Sequence, residues 1–245
     1  MDLLPMAYAL LVVLGAAVVR GYSGFGFSLL TISALTLVFP PVEIIASIFL
    51  LEIAASTHLL PGIWREIGWR SVLTLWLGGA LGTPFGVLLL ANLSDAPMRL
   101  ALAAFVLVAA TLLWRGFSLK RTPSPRATLA SGMLSGLFNG AFGIGGPPVI
   151  LFYFSSPAGV VAGRASLIAF FLGMDVIGLA AQTWQSLITL DHLWRAAVFL
   201  PALLIGITIG SRGFRASDPE VFRRRVILLI GVIGLLIGVQ GFRNL

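Results

Sequence analysis

The sequence has 245 residues, of which 58% are hydrophobic and only 10% charged, and its formal net charge is +7. Soluble domains carry about 25% charged residues, so this composition excludes a soluble protein and predicts an all-α, polytopic membrane protein. The excess of Arg and Lys then indicates cytoplasmic loops rather than nucleic acid binding, and the absence of cysteine excludes disulfides and thiolate metal sites.

The first hydrophobic block, Leu3 to Phe39, is interrupted by a glycine-rich stretch at residues 20–28, Arg-Gly-Tyr-Ser-Gly-Phe-Gly-Phe-Ser. A spanning helix needs about 20 residues, so the block is one long kinked helix, two crossings, or a hairpin that enters and returns. Lipid cannot satisfy the backbone groups that glycine exposes, so such a stretch is buried in protein or lines a wet cavity. We therefore treat it as a candidate site.

Three further hydrophobic blocks follow in the first half of the chain. Gly78, Gly82 and Gly86 share one face of the middle block, which predicts close packing against another helix. The three blocks cover residues 42–60, 71–91 and 98–114.

A basic, proline-containing linker, residues 117–126, divides the chain into a first membrane repeat, 1–116, and a second, 127–245. The linker is predicted to be cytoplasmic because positive charge collects on that side of the membrane. Tandem repeats of this size are typical of secondary transporters.

The second repeat carries its own glycine-rich stretch at residues 139–148, Asn-Gly-Ala-Phe-Gly-Ile-Gly-Gly-Pro-Pro, 119 residues after the first (Gly21 to Gly140). Other landmarks recur in the same order. The matched pairs are Trp69-Arg70 with Trp194-Arg195, Gly78 and Gly82 with Gly206 and Gly210, and Ser94-Asp95-Ala96-Pro97 with Ser217-Asp218-Pro219.

The distribution of basic residues, leaving out Arg20, favours inverted repeats. Eight crossings would put eight basic residues on one side and seven on the other. If each glycine-rich block is a re-entrant hairpin followed by three transmembrane helices, twelve lie on one side and three on the other, as the positive-inside rule expects. The hairpin tips would then meet near the midplane, where helix starts present free N–H groups that suit an anion.

The two glycine-rich stretches resemble the paired signature of the sulfite exporter (TauE/SafE) family. The basic linker and the small size agree, so the resemblance covers nearly the whole chain. The first copy departs from the second in having Phe27-Ser28 where the second has Gly146-Pro147. The resemblance implies transport of sulfite, thiosulfate or an organosulfonate such as sulfoacetate across the bacterial inner membrane, often outward.

Arg20 is the sharpest single candidate for a substrate ligand. A charge at membrane depth costs roughly 2.5 to 3.5 kcal/mol, and the planar guanidinium suits sulfonate or sulfite oxygens. The alternative is a structural ion pair with Glu52 or Asp175. The predicted substrate-binding residues are Arg20, Gly21, Tyr22, Ser23, Gly24, Gly26, Asn139, Gly140, Phe142, Gly143, Gly145, Gly146 and Gln182.

Glu52, Asp175 and His58 are candidates for proton coupling, because a buried carboxylate or histidine can bind and release a proton during a transport cycle. The alternatives are neutralisation of Arg20 for the two acids and an interfacial position for His58. Arg164 is interpreted as a headgroup contact at a helix start.

Two rival functions differ in class from a transporter with alternating access. One is a channel-like anion pore. The other is an intramembrane serine protease using Ser23 and His58, because residues 21–24 match the pattern G-x-S-G and the other histidine, His192, is placed in a loop. The pattern G-x-x-G-x-G also resembles glycine-rich phosphate-binding loops. That interpretation is rejected, because such loops follow a β-strand in a soluble unit. The remaining expectations are no enzyme activity, no cofactor, no metal and no nucleic acid; the expected partners are a small anion and the bilayer, with a homodimer as the oligomer considered.

Overall fold

The computed structural model describes residues 3–35, 38–39, 41–92, 104, 107–108, 111–112, 114–115, 123–142, 145–157, 159–184 and 188–243. All regular structure in these residues is helical, which confirms the all-α prediction. The predicted block 98–114 falls largely outside the described residues. The described α-helices are α1 (Leu3–Ser23), α2 (Phe27–Leu35), α3 (Pro41–Leu59), α4 (Trp69–Asn92), α5 (Pro125–Phe142), α6 (Gly146–Ser155), α7 (Val160–Trp184), α8 (Leu190–Arg215) and α9 (Pro219–Arg243).

Three helical segments in the described part of the chain are long and apolar enough to cross a membrane: Leu4–Ser23, Val160–Ala180 and Leu190–Arg215. Helix α4 adds an apolar stripe at three- and four-residue spacing, in which each large side chain is about half exposed or more. Such a face suits contact with lipid better than contact with water. Its members are Leu73, Leu77, Leu81, Phe85 and Leu88.

The chain divides into two compact units, and the segments of each unit come from both halves of the sequence. Met1–Trp64 and Phe171–Ser217 form the first unit, which holds α1 to α3, the C-terminal part of α7, and α8. Arg65–Phe170 and Asp218–Leu245 form the second unit, which holds α4 to α6, the N-terminal part of α7, and α9. The division into sequence repeats at the linker stays a prediction.

In the first unit, α8 lies against α1 with the two backbones in close contact. A Cβ atom added at Gly206 would lie 2.6 Å from the Ala17 Cβ and the Leu14 carbonyl oxygen. At Gly210 it would collide with the main chain of Val18. Small residues permit this approach, so the glycine pair that matches Gly78 and Gly82 in the sequence serves helix packing here.

In the second unit, α4 packs on α5 in the same manner. A Cβ atom at Gly78 would meet the main chain of Leu129, and one at Gly82 would meet the Met133 carbonyl group. The contact is mutual, because Gly136 of α5 faces the main chain of Gly79 of α4. The packing predicted for the first glycine pair is therefore confirmed.

Each glycine-rich stretch joins two helices that fold back on each other. The Tyr8 hydroxyl of α1 donates to the Ala34 carbonyl of α2 over 3.1 Å, which requires α2 to return along α1. In the second stretch the Ser135 hydroxyl of α5 donates to the Gly145 carbonyl at the start of α6. The returning helices have nine and ten residues, as the short second arms of the sequence predict. Helix α1, with 21 residues, is about 31 Å long.

Candidate functional site

Arg20 lies in the last turn of α1 and is completely buried in the first unit. One terminal nitrogen donates to the Gly24 carbonyl, just after the helix ends. The other donates to the Ser56 hydroxyl of α3 over 2.7 Å. The guanidinium carbon lies 5.0 Å from the centre of the Phe171 ring, at a distance suited to a cation–π contact. Four separate segments of the unit therefore position this cation.

Glu52 of α3 supplies the charge partner of Arg20. Its Oε2 atom lies 3.0 Å from the Arg20 Nε, and both side chains are at least 96% buried. Its Oε1 atom accepts two further bonds, from the Ser28 N–H at 3.1 Å and the Ser28 hydroxyl at 2.7 Å. Because Ser28 lies in the first turn of α2, the carboxylate also satisfies a backbone donor that the helix itself leaves unpaired. In this structure the alternative of an Arg20–Glu52 ion pair is therefore realised.

Asp175 of α7 completes a cluster of three buried charged residues. It is 5% exposed and close enough to both Glu52 and Arg20 to interact with them electrostatically. Its Oδ2 atom has no hydrogen-bond partner among the described residues. Two carboxyl groups thus share one guanidinium, and a buried charge without compensation is costly. The sequence predicted these three residues as a possible ion-pair group, and the structure brings them together.

The tip between α1 and α2 depends on glycine at two positions. Gly24 has φ of 84° and Gly26 has φ of 93°, in the left-handed region that other residues rarely adopt. The Gly24 N–H still donates to the Arg20 carbonyl at 2.8 Å, so the chain leaves the helix and turns within three residues. This turn aims the Gly24 carbonyl at the guanidinium and the start of α2 at Glu52.

The neighbouring predicted ligands have contacts within the unit. A Cβ at Gly21 would collide with the main chain of Ile207 in α8, so glycine is needed there for helix packing. The Tyr22 hydroxyl is hydrogen-bonded to the Ser217 hydroxyl at 3.1 Å. The Ser23 hydroxyl donates to the Val19 carbonyl at 2.8 Å, four residues back in α1. Their roles in substrate binding stay predictions.

The second glycine-rich stretch lies in the second unit. Asn139 is half-buried on α5, and its Cβ would be 3.0 Å from a Cβ added at Gly145, so the two residues are in close proximity. Gly145 and Gly146 are buried at the start of α6. Pro147 and Pro148 have no N–H, so this helix start offers fewer donors than that of α2.

Some predicted ligands are described only in part. Gly140 lies on α5 and is half-buried. Phe142 and Gln182 are described only for their helical backbone, and Gly143 lies outside the described residues. Helix α6 is itself anchored to α4, because the Tyr153 hydroxyl is hydrogen-bonded to the Ser71 hydroxyl at 2.9 Å.

The arrangement of Ser23 and the histidines does not fit a protease. Ser23 is completely buried, whereas His58 is exposed near the end of α3. The prediction that His192 lies in a loop is wrong. It is buried in the first turn of α8, where its Nδ1 atom accepts the Thr189 backbone N–H at 3.1 Å as one half of a capping box. Thr189 at the N-cap and Asp191 in the first turn are the local sequence signals for this helix start.

The interpretation of Arg164 as a headgroup contact is also wrong, since a headgroup contact needs an exposed guanidinium. Arg164 is only 4% exposed and lies within the second unit. Three neighbours of Arg20 and Glu52 are not among the predicted ligands: Ser28, which lies within the stretch 20–28, Ser56 and Phe171. Ser56 had a detectable signal, because it follows Glu52 by four residues and so shares its helix face; Phe171 had none.

Comparison with known proteins identifies the family. The family model for the sulfite exporter TauE/SafE matches residues 9–237. The chain is also 29% identical over 220 residues to the "Probable sulfite/organosulfonate exporter TauE" of Cupriavidus necator, covering 86% of this chain and 85% of that protein. No solved structure matches the chain significantly. The chain therefore belongs to the sulfite exporter TauE/SafE family, whose members are multi-pass membrane transporters and not enzymes.

Proposed function

We propose that this protein is a secondary transporter that exports a small sulfur-containing anion across the inner membrane. The substrate class is sulfite, thiosulfate or an organosulfonate such as sulfoacetate. The family and the name of the Cupriavidus relative support this class of substrate. The single structural observation that carries the proposal is Arg20, a completely buried cation beside the start of a short helix.

The chemistry around Arg20 suits an oxyanion. A guanidinium has five N–H donors, and the contacts to Gly24, Ser56 and Glu52 account for at most three of them. We propose that the remaining donors bind anionic oxygens beside the start of α2, whose dipole also favours negative charge. We propose that the tip around Asn139 and Gly145 contributes the other part of the site in the second half.

The proposed architecture is two inverted repeats, each with a re-entrant hairpin, and transport by alternating access. Reciprocal packing between the repeats supports it. Helix α1 begins the first repeat and packs on α8 of the second, whereas α5 begins the second repeat and packs on α4 of the first; α8 and α4 carry the matched glycine pairs. Within the second unit, Trp114 lines one cavity of about 650 Å³ together with Arg224 and Arg225. Parallel repeats would place Arg115 and Arg224 on opposite sides of the membrane, so this shared cavity favours the inverted arrangement.

We further propose that transport is coupled to protons through Glu52 or Asp175. Both are buried next to Arg20, where the protonation state of a carboxyl group decides how much charge the site carries. His58, exposed two residues after Ser56, is proposed as a relay between this group and the membrane surface.

Transport in proteoliposomes tests the proposal. We expect saturable uptake of radiolabelled sulfite, thiosulfate or sulfoacetate, and no uptake of a carboxylate of the same size. Arg20→Ala should abolish the uptake, whereas Arg115→Ala, on an exposed position, should leave it unchanged. Flux that rises linearly with anion concentration would indicate a channel-like pore, and uptake by the Arg20→Ala variant at the rate of the wild type would place the site elsewhere.

A further inference from the structure

The Glu52 carboxylate is bound as a free oxyanion would be bound. Three groups face it: the Arg20 guanidinium as an ion-pair partner at 3.0 Å, and the Ser28 hydroxyl and the Ser28 N–H at a helix start as hydrogen-bond donors at 2.7 and 3.1 Å. These are the groups that proteins use to bind sulfonate, sulfite or phosphate oxygens. Here the anion that these groups hold is the carboxylate of Glu52, a residue that is only 3% exposed. An anion that enters beside Arg20 and Ser28 therefore meets an anion already in place.

We propose that Glu52 is a tethered competitor of the substrate, and that one proton taken up by Glu52 releases the donors to one substrate anion. The inference rests on the proposed function, because it names the residue and the stoichiometry by which that transport is coupled. As a carboxylic acid, Glu52 no longer attracts the guanidinium, and the incoming anion takes over the contacts to Arg20 and Ser28.

The charge balance fixes the stoichiometry. Before exchange the exchanging pair is the guanidinium cation and the Glu52 carboxylate. After exchange the same cation faces one substrate monoanion and Glu52 is neutral, while Asp175 takes no part in the exchange. The buried charge is unchanged, so exchange adds no uncompensated charge to a site where such charge is costly. A monoanion and a proton then move together, so the cycle is electroneutral, and export is driven by an outward concentration gradient of the anion.

The groups that face Glu52 explain why it carries the exchanged proton. Arg20 approaches it from α1, Asp175 from α7, and the non-titrating Ser28 from α2. On α8, His192 contacts α3 through the Ser47 hydroxyl, five residues before Glu52. Asp175 shares the electrostatic environment, but its Oδ2 atom accepts no hydrogen bond among the described residues, whereas Glu52 Oε1 accepts two from Ser28 that an anion can take over. Exchange at Glu52 therefore transfers hydrogen-bond donors to the anion.

The experiment uses the purified full chain in proteoliposomes with radiolabelled ethanesulfonate, a monoanion whose charge is constant between pH 5.5 and 8. For the wild type we expect accumulation of about tenfold per unit of pH gradient, acid outside, and no response to a potassium diffusion potential. Glu52→Gln should lose the response to pH and become electrogenic, with accumulation of about tenfold for each 59 mV of inside-positive potential. Asp175→Asn should keep the response to pH, and Glu66→Gln, on an exposed acid, should behave as the wild type.

A second measurement does not depend on transport. Glu52→Ala leaves Arg20 and Ser28 without their acceptor, so methanesulfonate or formate should raise the melting temperature of this variant more than that of the wild type. The double variant Arg20→Ala/Glu52→Ala should lose that rescue. Absence of sulfonate transport with rescue present would reject the proposed function but keep the anion site. Absence of rescue, potential-dependent uptake by the wild type, or loss of the pH response in Asp175→Asn alone would overturn the inference.

Discussion

At the scale of single residues, Arg20 and Glu52 are buried together, so loss of Arg20 leaves the buried Glu52 carboxylate without its cation. Removing one member of a buried pair costs about 3 to 5 kcal/mol. We expect Arg20→Ala to lower the free energy of unfolding by about that amount, measured by thermal or chemical denaturation in detergent. Arg224→Ala, at an exposed position, is the control. An Arg20→Ala variant as stable as the wild type would contradict the pairing.

The tip glycines give a second prediction at this scale. Any side chain at Gly24 or Gly26 must adopt positive φ, which costs about 1 to 3 kcal/mol. Gly24→Ala and Gly26→Ala should each lower the melting temperature. Gly15, in the middle of α1, has open space around the position of a Cβ, so Gly15→Ala should be neutral or stabilising by up to about 1 kcal/mol. Equal effects at the three positions would show that the tip is not strained.

The sequence identified Arg20 by its depth in a hydrophobic block, but it did not identify the partner. Glu52 and Asp175 were equally plausible, because the choice depends on how α3 and α7 pack. Ser28 carried no chemical signal of its own, since a serine near a helix start is ordinary. The partner of a buried charge is a property of tertiary packing, and local sequence does not contain it.

At the scale of helices, glycines bring the backbones of α1 and α8, and those of α4 and α5, into close contact. Gly210→Ala and Gly82→Ala each place a methyl group against backbone, where overpacking costs about 1 to 3 kcal/mol. We expect both to lower the melting temperature, and Gly231→Ala on α9, where nothing lies within 4 Å, to leave it unchanged. Tolerance of Gly210→Ala would contradict the close approach of α1 and α8.

Most helix positions could be predicted because hydrophobic runs bounded by Pro and Gly correspond directly to buried or lipid-facing helices. The block 42–60 became α3 (Pro41–Leu59), and the block 71–91 became α4 (Trp69–Asn92). The return of α2 along α1 was one of three interpretations of residues 3–39, and the distribution of basic residues favoured it. The length of α1 differs from a half-helix, because the helix continues through Arg20 and Gly21 to Ser23.

At the scale of the whole molecule, topology is the prediction that remains to be measured. The natural chain has no cysteine, so single cysteines can be added without a background. Cysteines at Ser124 and Arg224 should react with an impermeant maleimide from the cytoplasmic side, and one at Asp191 from the opposite side. Reaction of the first two from different sides would indicate parallel repeats.

The compact units could not be predicted from the repeat, because each unit takes helices from both halves of the sequence. Sequence similarity identifies which segments correspond, and it does not say which of them pack together. The packing partners α1 and α8 are separated by most of the chain. Their close contact depends on the glycine pair of α8, Gly206 and Gly210.

The exchange of partners between the halves has a consequence for biogenesis. Helix α1 leaves the ribosome long before α8, so the face of α1 that packs on Gly206 and Gly210 stays uncovered until nearly the whole chain has been translated. A fragment that ends at residue 116 contains α1 without its packing partner α8. A fragment that begins at residue 117 contains α5 without its packing partner α4. We expect each fragment to be degraded when expressed alone and both to be protected when expressed together, as followed by pulse–chase. Survival of either fragment alone would contradict the expectation that its helices need the packing partner from the other half.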